Sequence, residues 1–408
     1  MFRVGLTRLG LLLPDLSRDV WWLIFVNAAM QVIFNFVSIF VNLYWWRQGD
    51  PIFTVSLFNL FGTVALFLSY AIGSYFLWRQ DIRFVMVLSG LMAGLTFVGL
   101  FFYDPRLQVA FIIGVGLCFG LTQGFFWAAN NASMYTVLPS EQWADYFSMN
   151  TVIGQGIAVV IPLASAGAVS WLGFRGAFLA MLGVVGAALG LAARLPRRRL
   201  SDNLYTGLGF RQVFSRPGTP WLLVVVLASG LANQFLALFS MVYIFTTSTQ
   251  AGIVAVLNIG FSLVLLGALV LYRRSQWRQE WWLVAGVGFI WLSYAISLTV
   301  GRGATDIIVV LMMRVGGLYL TAASGRQRYR VMMQGDVVWR TRLGLWMEVP
   351  FAVSRVLILA GALLVTRVGD TPFVALMLVS VLAMIALPIL TGVAVARFEA
   401  VHGVSAGL

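Results

Sequence analysis

The chain has 408 residues, of which 61% are hydrophobic and only 10% are charged. Soluble domains carry about 25% charged residues, so this composition excludes an ordinary soluble protein and makes lipid the solvent for most of the chain. The net charge of +13 does not indicate nucleic-acid binding, because the basic residues lie between apolar runs, where membrane proteins carry them.

Histidine and cysteine are nearly absent, which limits the chemistry that the chain can perform. The single histidine, His402, lies near the C-terminal end, and the single cysteine, Cys118, lies in an apolar run. These counts exclude a histidine-based metal site or catalytic centre within the membrane, and we expect neither a metal nor another cofactor. Because the spans also lack paired acids, we predict that the chain is not an enzyme.

The hydrophobic residues are grouped into segments that are long enough to cross a bilayer, which takes about 20 residues of helix. Twelve segments meet this length, with approximate bounds of 20–45, 53–78, 84–102, 107–135, 146–170, 176–193, 220–246, 250–272, 281–300, 306–325, 343–366 and 373–396. A longer, basic link separates the sixth from the seventh. We therefore predict an N-terminal bundle in residues 1–193, a cytoplasmic linker in 194–219 and a C-terminal bundle in 220–408.

The first span carries a row of polar residues, Asn27, Gln31, Asn35, Ser38 and Asn42, at steps of four, four, three and four. This spacing places them along one stripe of a helix. Hydrocarbon cannot satisfy amide groups, so the stripe must face protein or water. It forms either the wall of a substrate cavity or a set of interhelical hydrogen bonds, each worth about 0.6 kcal/mol and at most about 2.

The end of the second span is repeated later in the chain. Trp-Arg-Gln-Asp at 78–81 recurs 199 residues later as Trp-Arg-Gln-Glu at 277–280, and each tetrapeptide follows an asparagine, Asn59 or Asn258, by 19 residues. A repeat period near half the chain length indicates a duplicated unit, as in two-halved membrane transporters. Because the two asparagines are repeated, we expect them to have a structural role.

Two further spans carry polar residues at helical spacing. Gln123, Trp127 and Asn131 lie at steps of four in the fourth span, and Asn233 and Ser240 lie seven residues apart in the seventh. Each set places its members on one helix face. We predict that Gln123, Trp127, Asn131 and Asn233 contact a substrate together with the stripe of the first span.

The distribution of arginine predicts the orientation of the chain. In the segments outside the spans, 20 arginines lie on the side of the N-terminus and five on the opposite side. Positive residues are enriched in cytoplasmic loops, so both termini should be cytoplasmic. We therefore expect a multi-pass protein of the inner, cytoplasmic membrane.

The two remaining arginines, Arg314 and Arg355, lie inside the tenth and eleventh spans. Their positions place them about 12 Å and about 18 Å from the membrane surface at 1.5 Å of rise per residue. A central arginine costs at least about 2.5–3.5 kcal/mol to insert, and it keeps its charge at any physiological pH. Each residue is therefore either a site for an anionic substrate, which arginine can grip bidentately, or the partner of a structural acceptor.

Four acids are candidates for coupling or gating. Glu348 is the acid clearly inside a span, and it shares a helix face with Arg355. It forms either a structural pair or gate latch near the cytoplasmic interface, or a site that couples transport to protons. Asp145 at the start of the fifth span is a weaker candidate of the same kind, and Asp81 and Glu280 end the two repeated tetrapeptides.

Six plus six spans, a basic central segment and cytoplasmic termini resemble the major facilitator superfamily over nearly the whole chain. The stretch 73–81 keeps the first glycine and the late charge of the superfamily's loop signature, and 120–124 keeps the Gln-Gly of its fourth-helix signature without the arginine. The antiporter signature of the fifth helix is not reproduced around Gly154, Gly156 and Pro162.

The resemblance implies an all-α integral membrane protein with twelve transmembrane helices in two pseudo-symmetric six-helix bundles. It also implies a central cavity lined by the first, fourth, seventh and tenth helices, and transport by alternating access between the two bundles. When the halves are aligned, Arg314 falls where the fourth span has Gly120. The C-terminal half then carries the arginine that the N-terminal half lacks.

These observations predict a secondary active transporter for a small organic solute that is anionic or amphipathic. A lipid or glycolipid flippase of the same fold is the alternative, because an anionic headgroup would meet the same arginines. A sensor or structural subunit that transports nothing is the alternative from another class. The partners that we expect are membrane lipid, a small-molecule substrate and a proton or counter-ion, without nucleic acid.

Overall fold

The structure, a computed structural model, describes residues 16–136, 142–200, 209–216, 218–300, 303–332 and 337–402, and their regular secondary structure is entirely helical. The helices are α1 (Arg18–Trp46), α2 (Pro51–Arg79), α3 (Ile82–Phe101), α4 (Gln108–Thr136), α5 (Trp143–Ala192), α6 (Phe210–Val213), α7 (Thr219–Thr247), α8 (Ala251–Arg274), α9 (Gln279–Thr299), α10 (Ala304–Met332), α11 (Val337–Ala362) and α12 (Thr371–His402). The predicted all-α class is confirmed.

Helix α5 contains two membrane spans, because it is interrupted at Gly173. Its apolar part, Met149–Ala192, has 44 residues, which at 1.5 Å per residue is about twice the 30 Å hydrocarbon core. At Gly173 the backbone has φ 69° and ψ 176°, a conformation that is essentially restricted to glycine. The chain therefore turns back there, and the eleven long apolar helices of the described residues provide the twelve predicted spans.

The helices pack as two halves, with α1–α5 in the first half and α7–α12 in the second. In the first half α4 packs along α2 and α3, and α1 packs against α5; in the second half α7 packs against α10, α11 and α12, and α9 packs along α10. The halves meet where α2 contacts α11 and where α5 contacts α8.

Glycine permits the closest helix contact in the first half. A Cβ atom added to Gly120 would lie 2.1 Å from the carbonyl oxygen of Gly62, and one added to Gly124 would lie 1.9 Å from Ser69 Oγ. No side chain fits at these distances, so α2 and α4 approach backbone to backbone, as small residues allow in membranes. This contact holds α4 close beside α2.

The repeated tetrapeptides lie where one helix ends and the next begins. Asp81 caps α3, since its Oδ1 accepts a hydrogen bond from the Phe84 amide at 2.7 Å. Glu280 lies in the first turn of α9 and forms an ion pair with Arg278 at 2.9 Å. Acids at helix N-termini satisfy free amides and the helix dipole. The structure thus gives both acids a local role, and their gating role stays a prediction.

The two ends of the predicted linker are fastened to different halves. Residues 194–200 bond to the first half, where the Ile82 amide donates to the Arg198 carbonyl at 2.9 Å and the Leu200 amide donates to the Leu77 carbonyl at 3.1 Å. Helix α6 bonds to the second half, where Trp339 Nε1 donates to the Val213 carbonyl at 3.2 Å.

Candidate functional site

A cavity of about 570 Å³ lies between the two halves. We call it the central cavity; it is lined by α1, α2, α4 and α5 of the first half and by α7, α8, α10 and α11 of the second. Its polar lining residues are Gln31, Asn35, Ser38, Asn42, Asn59, Thr63, Gln123, Gln234, Asn258, Ser262, Arg314 and Arg355. The described residues that line it include no acid, so its only formal charges are those of the two arginines.

Helix α1 contributes four members of its predicted stripe, Gln31, Asn35, Ser38 and Asn42. The helix widens to a π-helix over Val37–Val41, and Asn42 Nδ2 donates to the Ser38 carbonyl at 3.0 Å across this segment. Such π turns are frequent at functional sites. This local irregularity occurs where the stripe faces the cavity.

The repeated asparagines share one geometry. Asn59 Nδ2 donates to the Val55 carbonyl at 2.8 Å, and Asn258 Nδ2 donates to the Val254 carbonyl at 2.8 Å. Each bond spans four residues of helix and fixes the orientation of the amide. Both asparagines also line the central cavity.

The two anchored amides hold different partners. In the first half, Asn59 Nδ2 also donates to Asn42 Oδ1 at 2.9 Å, which is a neutral pair between α2 and α1. In the second half, Asn258 Oδ1 accepts a hydrogen bond from Arg314 Nη2 at 3.0 Å, which links α8 to α10. The duplication is therefore kept in the anchor and broken in the group that it holds.

Arg314 is held by neutral groups only. In addition to its bond with Asn258, its guanidinium lies over the Phe261 ring at 4.9 Å from the ring centre. Among the described residues no carboxylate lies within 4 Å of it. Cation–π contact and one amide acceptor stabilise the cation without neutralising it. Its charge therefore remains available to an anion in the cavity.

Arg355 has a similar cradle and a nearby acid. Its Nε donates to Gln234 Oε1 at 3.0 Å, and its guanidinium lies 4.8 Å from the centre of the Phe351 ring. Glu348 lies seven residues before Arg355 on the same face of α11, although none of the described arginines lies within 4 Å of its carboxylate. Arg355 thus shares its helix face with an acid, whereas Arg314 does not.

Four predicted contact residues, Asn27, Trp127, Asn131 and Asn233, lie outside the lining of the central cavity. Asn27 is buried, and its Nδ2 donates to the Tyr146 hydroxyl at 2.7 Å, which ties α1 to α5. Asn131 Nδ2 donates to the Tyr70 hydroxyl at 3.2 Å, and Trp127 is 43% exposed on α4. For these residues a role in substrate contact stays a prediction, since the cavity lining does not include them.

Asn233 lies in a side pocket of about 300 Å³ between α7 and α10. Thr321 Oγ1 is 3.5 Å from Asn233 Oδ1, and Arg314 lines both this pocket and the central cavity. The neighbouring residue Gln234, which sequence reasoning missed, faces the central cavity and binds Arg355. Asp145, a candidate for coupling, is exposed in the first turn of α5.

The two halves are in contact near the loops 47–50 and 248–250, at one end of the central cavity. The Arg47 guanidinium donates a hydrogen bond to the Thr249 carbonyl, and the rings of Trp46 and Phe245 lie 5.5 Å apart. Burial lowers the pKa of Arg47 below its ordinary value. These contacts join the two halves at the loop 47–50 end.

No family model and no curated protein matches this sequence. Solved structures match over nearly the full length. A POT family transporter in complex with 5-aminolevulinic acid is 10% identical, with 92% of this chain and 96% of that chain covered and a TM-score of 0.67. A bacterial homologue of the iron transporter ferroportin in an inward-facing state is 14% identical, with coverage of 94% and 100% and a TM-score of 0.68.

A D-xylose–proton symporter is 11% identical, with 93% of this chain and 97% of that chain covered and a TM-score of 0.66. Identities this low establish architecture and not substrate. The twelve spans in two halves, the cavity between them and these full-length matches confirm the predicted resemblance at the level of fold: the chain has the fold of the major facilitator superfamily.

Proposed function

We propose that the chain is a secondary transporter that moves a small organic anion across the cytoplasmic membrane by alternating access. The observation that carries this proposal is Arg314, a cation that lines the central cavity and has no carboxylate within 4 Å among the described residues. An arginine deep in a membrane is costly, and its two neutral contacts do not cancel its charge. A bound anion completes the site.

The architecture supports movement of the solute. Two halves that meet around a central site can expose that site to one side and then to the other. The cavity volume lies within the range of about 300–1,000 Å³ that suits drug-sized solutes. Solved structures with this fold include a peptide transporter, a D-xylose–proton symporter and a nucleoside transporter, so the fold itself does not determine the substrate.

The arginine distribution supports an orientation. Twelve spans place Arg18 and Arg397, which lie at the two ends of the membrane-spanning region, on the same side, and the excess of arginine indicates that this side is cytoplasmic. The contact of Arg47 with Thr249 then lies on the outer side. This orientation supports a state in which the two halves are in contact on the outer side.

The test is a thermal-shift screen of anions on the purified full chain, repeated with Arg314→Gln and Arg355→Gln. A substrate anion should stabilise the wild-type protein, and Arg314→Gln should abolish that stabilisation. Arg278→Gln is the matched control, since Arg278 is exposed at the start of α9, away from the cavity. Stabilisation of all variants by neutral or cationic ligands alone would contradict the proposal.

Transport is tested separately by uptake into proteoliposomes. Arg314-dependent uptake of the stabilising anion is expected. Binding without uptake would indicate a sensor. Stabilisation by anions with acyl chains, together with movement of lipid between the leaflets, would indicate a flippase. These outcomes separate the three functions that the sequence leaves open.

A further inference from the structure

We propose that the substrate is a hydroxylated monocarboxylate, bound with its carboxylate on Arg314 and its hydroxyl groups on the polar wall of the first half. This inference rests on the proposed transport function and names the chemical class of the solute. Three features of the central cavity carry it: the unequal chemistry of its two walls, the free hydrogen-bond donors of Arg314, and the charge balance around Arg355.

The wall of the first half is polar and neutral. It presents the side chains of Gln31, Asn35, Ser38, Asn42, Asn59, Thr63 and Gln123. Amides and hydroxyls both donate and accept hydrogen bonds, which matches the two-way bonding of a substrate hydroxyl. Asn35 Oδ1 has no hydrogen-bond partner among the described residues, so this wall includes an acceptor that still lacks a donor.

The wall of the second half carries the charge. Arg314 uses Nη2 for Asn258 and one face of its guanidinium for Phe261. A guanidinium has five N–H donors in a planar fork, so donors remain on the other nitrogen atoms. A carboxylate can accept two parallel hydrogen bonds from such a fork. The fixed cradle reduces the ordering that binding would otherwise require.

The charge balance favours a single negative charge on the solute. Arg314 and Arg355 are the cations of the cavity lining, and Glu348 lies seven residues before Arg355 on the same face of α11. The acid of α10, Asp306, lies eight residues before Arg314 and on a different face of its helix. One lining cation therefore has an acid on its own helix face and the other has none, so one carboxylate neutralises the uncompensated guanidinium.

Four six-carbon probes, gluconate and three analogues, test the class, since each analogue differs from gluconate in one property. Hexanoate lacks the hydroxyls, sorbitol lacks the carboxylate and glucarate carries a second carboxylate. On the full chain, calorimetry should show gluconate binding at least about tenfold more tightly than each of the other three, because a polar site rejects analogues that leave its groups unpaired. Arg314→Gln should abolish gluconate binding.

A second variant tests the charge count. Glu348→Gln removes the acid on the helix face of Arg355 and should raise the glucarate-to-gluconate affinity ratio at least about fivefold, since no acid would then share a helix face with either lining cation. Glu280→Gln is the control, because Glu280 is exposed and pairs with Arg278 outside the cavity. An unchanged ratio in Glu348→Gln, or tighter binding of glucarate in the wild type, overturns the single-charge assignment.

The outcomes also separate this inference from the transport proposal. Equal, Arg314-dependent binding of hexanoate and gluconate overturns the hydroxyl assignment and leaves anion transport standing. If none of the four probes binds, but sulfate stabilises the wild type and not Arg314→Gln, the hydroxyl assignment is likewise overturned and anion transport stands. Equal binding of sorbitol and gluconate to the wild type and to Arg314→Gln overturns both proposals.

Discussion

Asn258 connects the backbone of α8 to the guanidinium of Arg314: its Nδ2 donates to the Val254 carbonyl at 2.8 Å while its Oδ1 accepts from Arg314 Nη2 at 3.0 Å. Because the first bond fixes which atom of the amide faces α10, Asn258 acts as a positioning residue for the cation. The orientation of the proposed anion site is thus determined by a residue on a different helix.

Replacing Asn258 should therefore change anion binding. Asn258→Leu removes a hydrogen bond to a charged group, worth about 1.5–3 kcal/mol, so we expect anion affinity to fall about tenfold or more. Asn258→Asp should abolish anion binding, because its carboxylate would pair with Arg314 in place of the substrate. Calorimetric titration with gluconate measures both effects, and unchanged affinity in Asn258→Asp would contradict the positioning role.

The contact between Arg47 and Thr249 should restrict access from the loop 47–50 side. Loss of one hydrogen bond of about 1 kcal/mol shifts a two-state equilibrium about fivefold. We expect Arg47→Ala to increase, by about that factor, the rate at which a membrane-impermeant maleimide labels a cysteine placed at Ser38 in a Cys118→Ser background. Arg106→Ala, at an exposed arginine of the next loop on that side, is the control. Equal labelling in both variants would show that the Arg47 contact does not hold the halves closed.

Gly173 should be intolerant of any side chain. A Cβ added there meets nothing within 4 Å, so the cost of Gly173→Ala comes from its φ of 69° alone. We expect a loss of about 1–3 kcal/mol of stability, measured as a lower unfolding midpoint in detergent. Gly183→Ala is matched to it, since that position is also open but has ordinary helical geometry. Similar midpoints for the two variants would contradict the assigned conformation.

Asp370 should make the start of α12 sensitive to acid. Partial burial would raise the pKa of its carboxyl, but hydrogen bonds from the Phe373, Thr366 and Arg367 amides and from the Thr366 hydroxyl hold the pKa below its ordinary value of 3.8. A lowered folded-state pKa gives stability that is present above about pH 4 and is lost as the pH falls through the folded value. Asp370→Asn should lower the melting temperature more at pH 7 than at pH 3. An equal effect at both values would contradict this assignment.

The spans and the duplication could be predicted because they are properties of composition and spacing. The break between the fifth and sixth spans was predicted at 171–175, and the structure has it at Gly173. The lining of the cavity depends in addition on how far each helix is rotated. Gln234 was missed because it is one residue, or about 100° of helix, away from the polar row that begins at Asn233.

The spacing in α1 predicted which residues share a helix face, but not which of them reach the cavity, because that depends on the neighbouring helix. Asn27 shares the spacing of Gln31 and Asn35, but the Tyr146 hydroxyl lies against it and binds its amide. Nothing in the local sequence of α1 reports that neighbour, which comes from a helix more than one hundred residues later. The π-helix at Val37–Val41 could not be predicted from residue spacing either, because that prediction assumes the α-helical period of about 3.6 residues per turn.

The pairing of each repeated asparagine with a backbone carbonyl also bears on how the two halves diverged. One amide, anchored in the same way in α2 and α8, holds a neutral residue from α1 in one case and a cation from α10 in the other. The anchor does not depend on the partner's charge. After duplication, the electrostatic preference of each wall could change by substitution of a single partner residue, without rebuilding the helix that presents the amide.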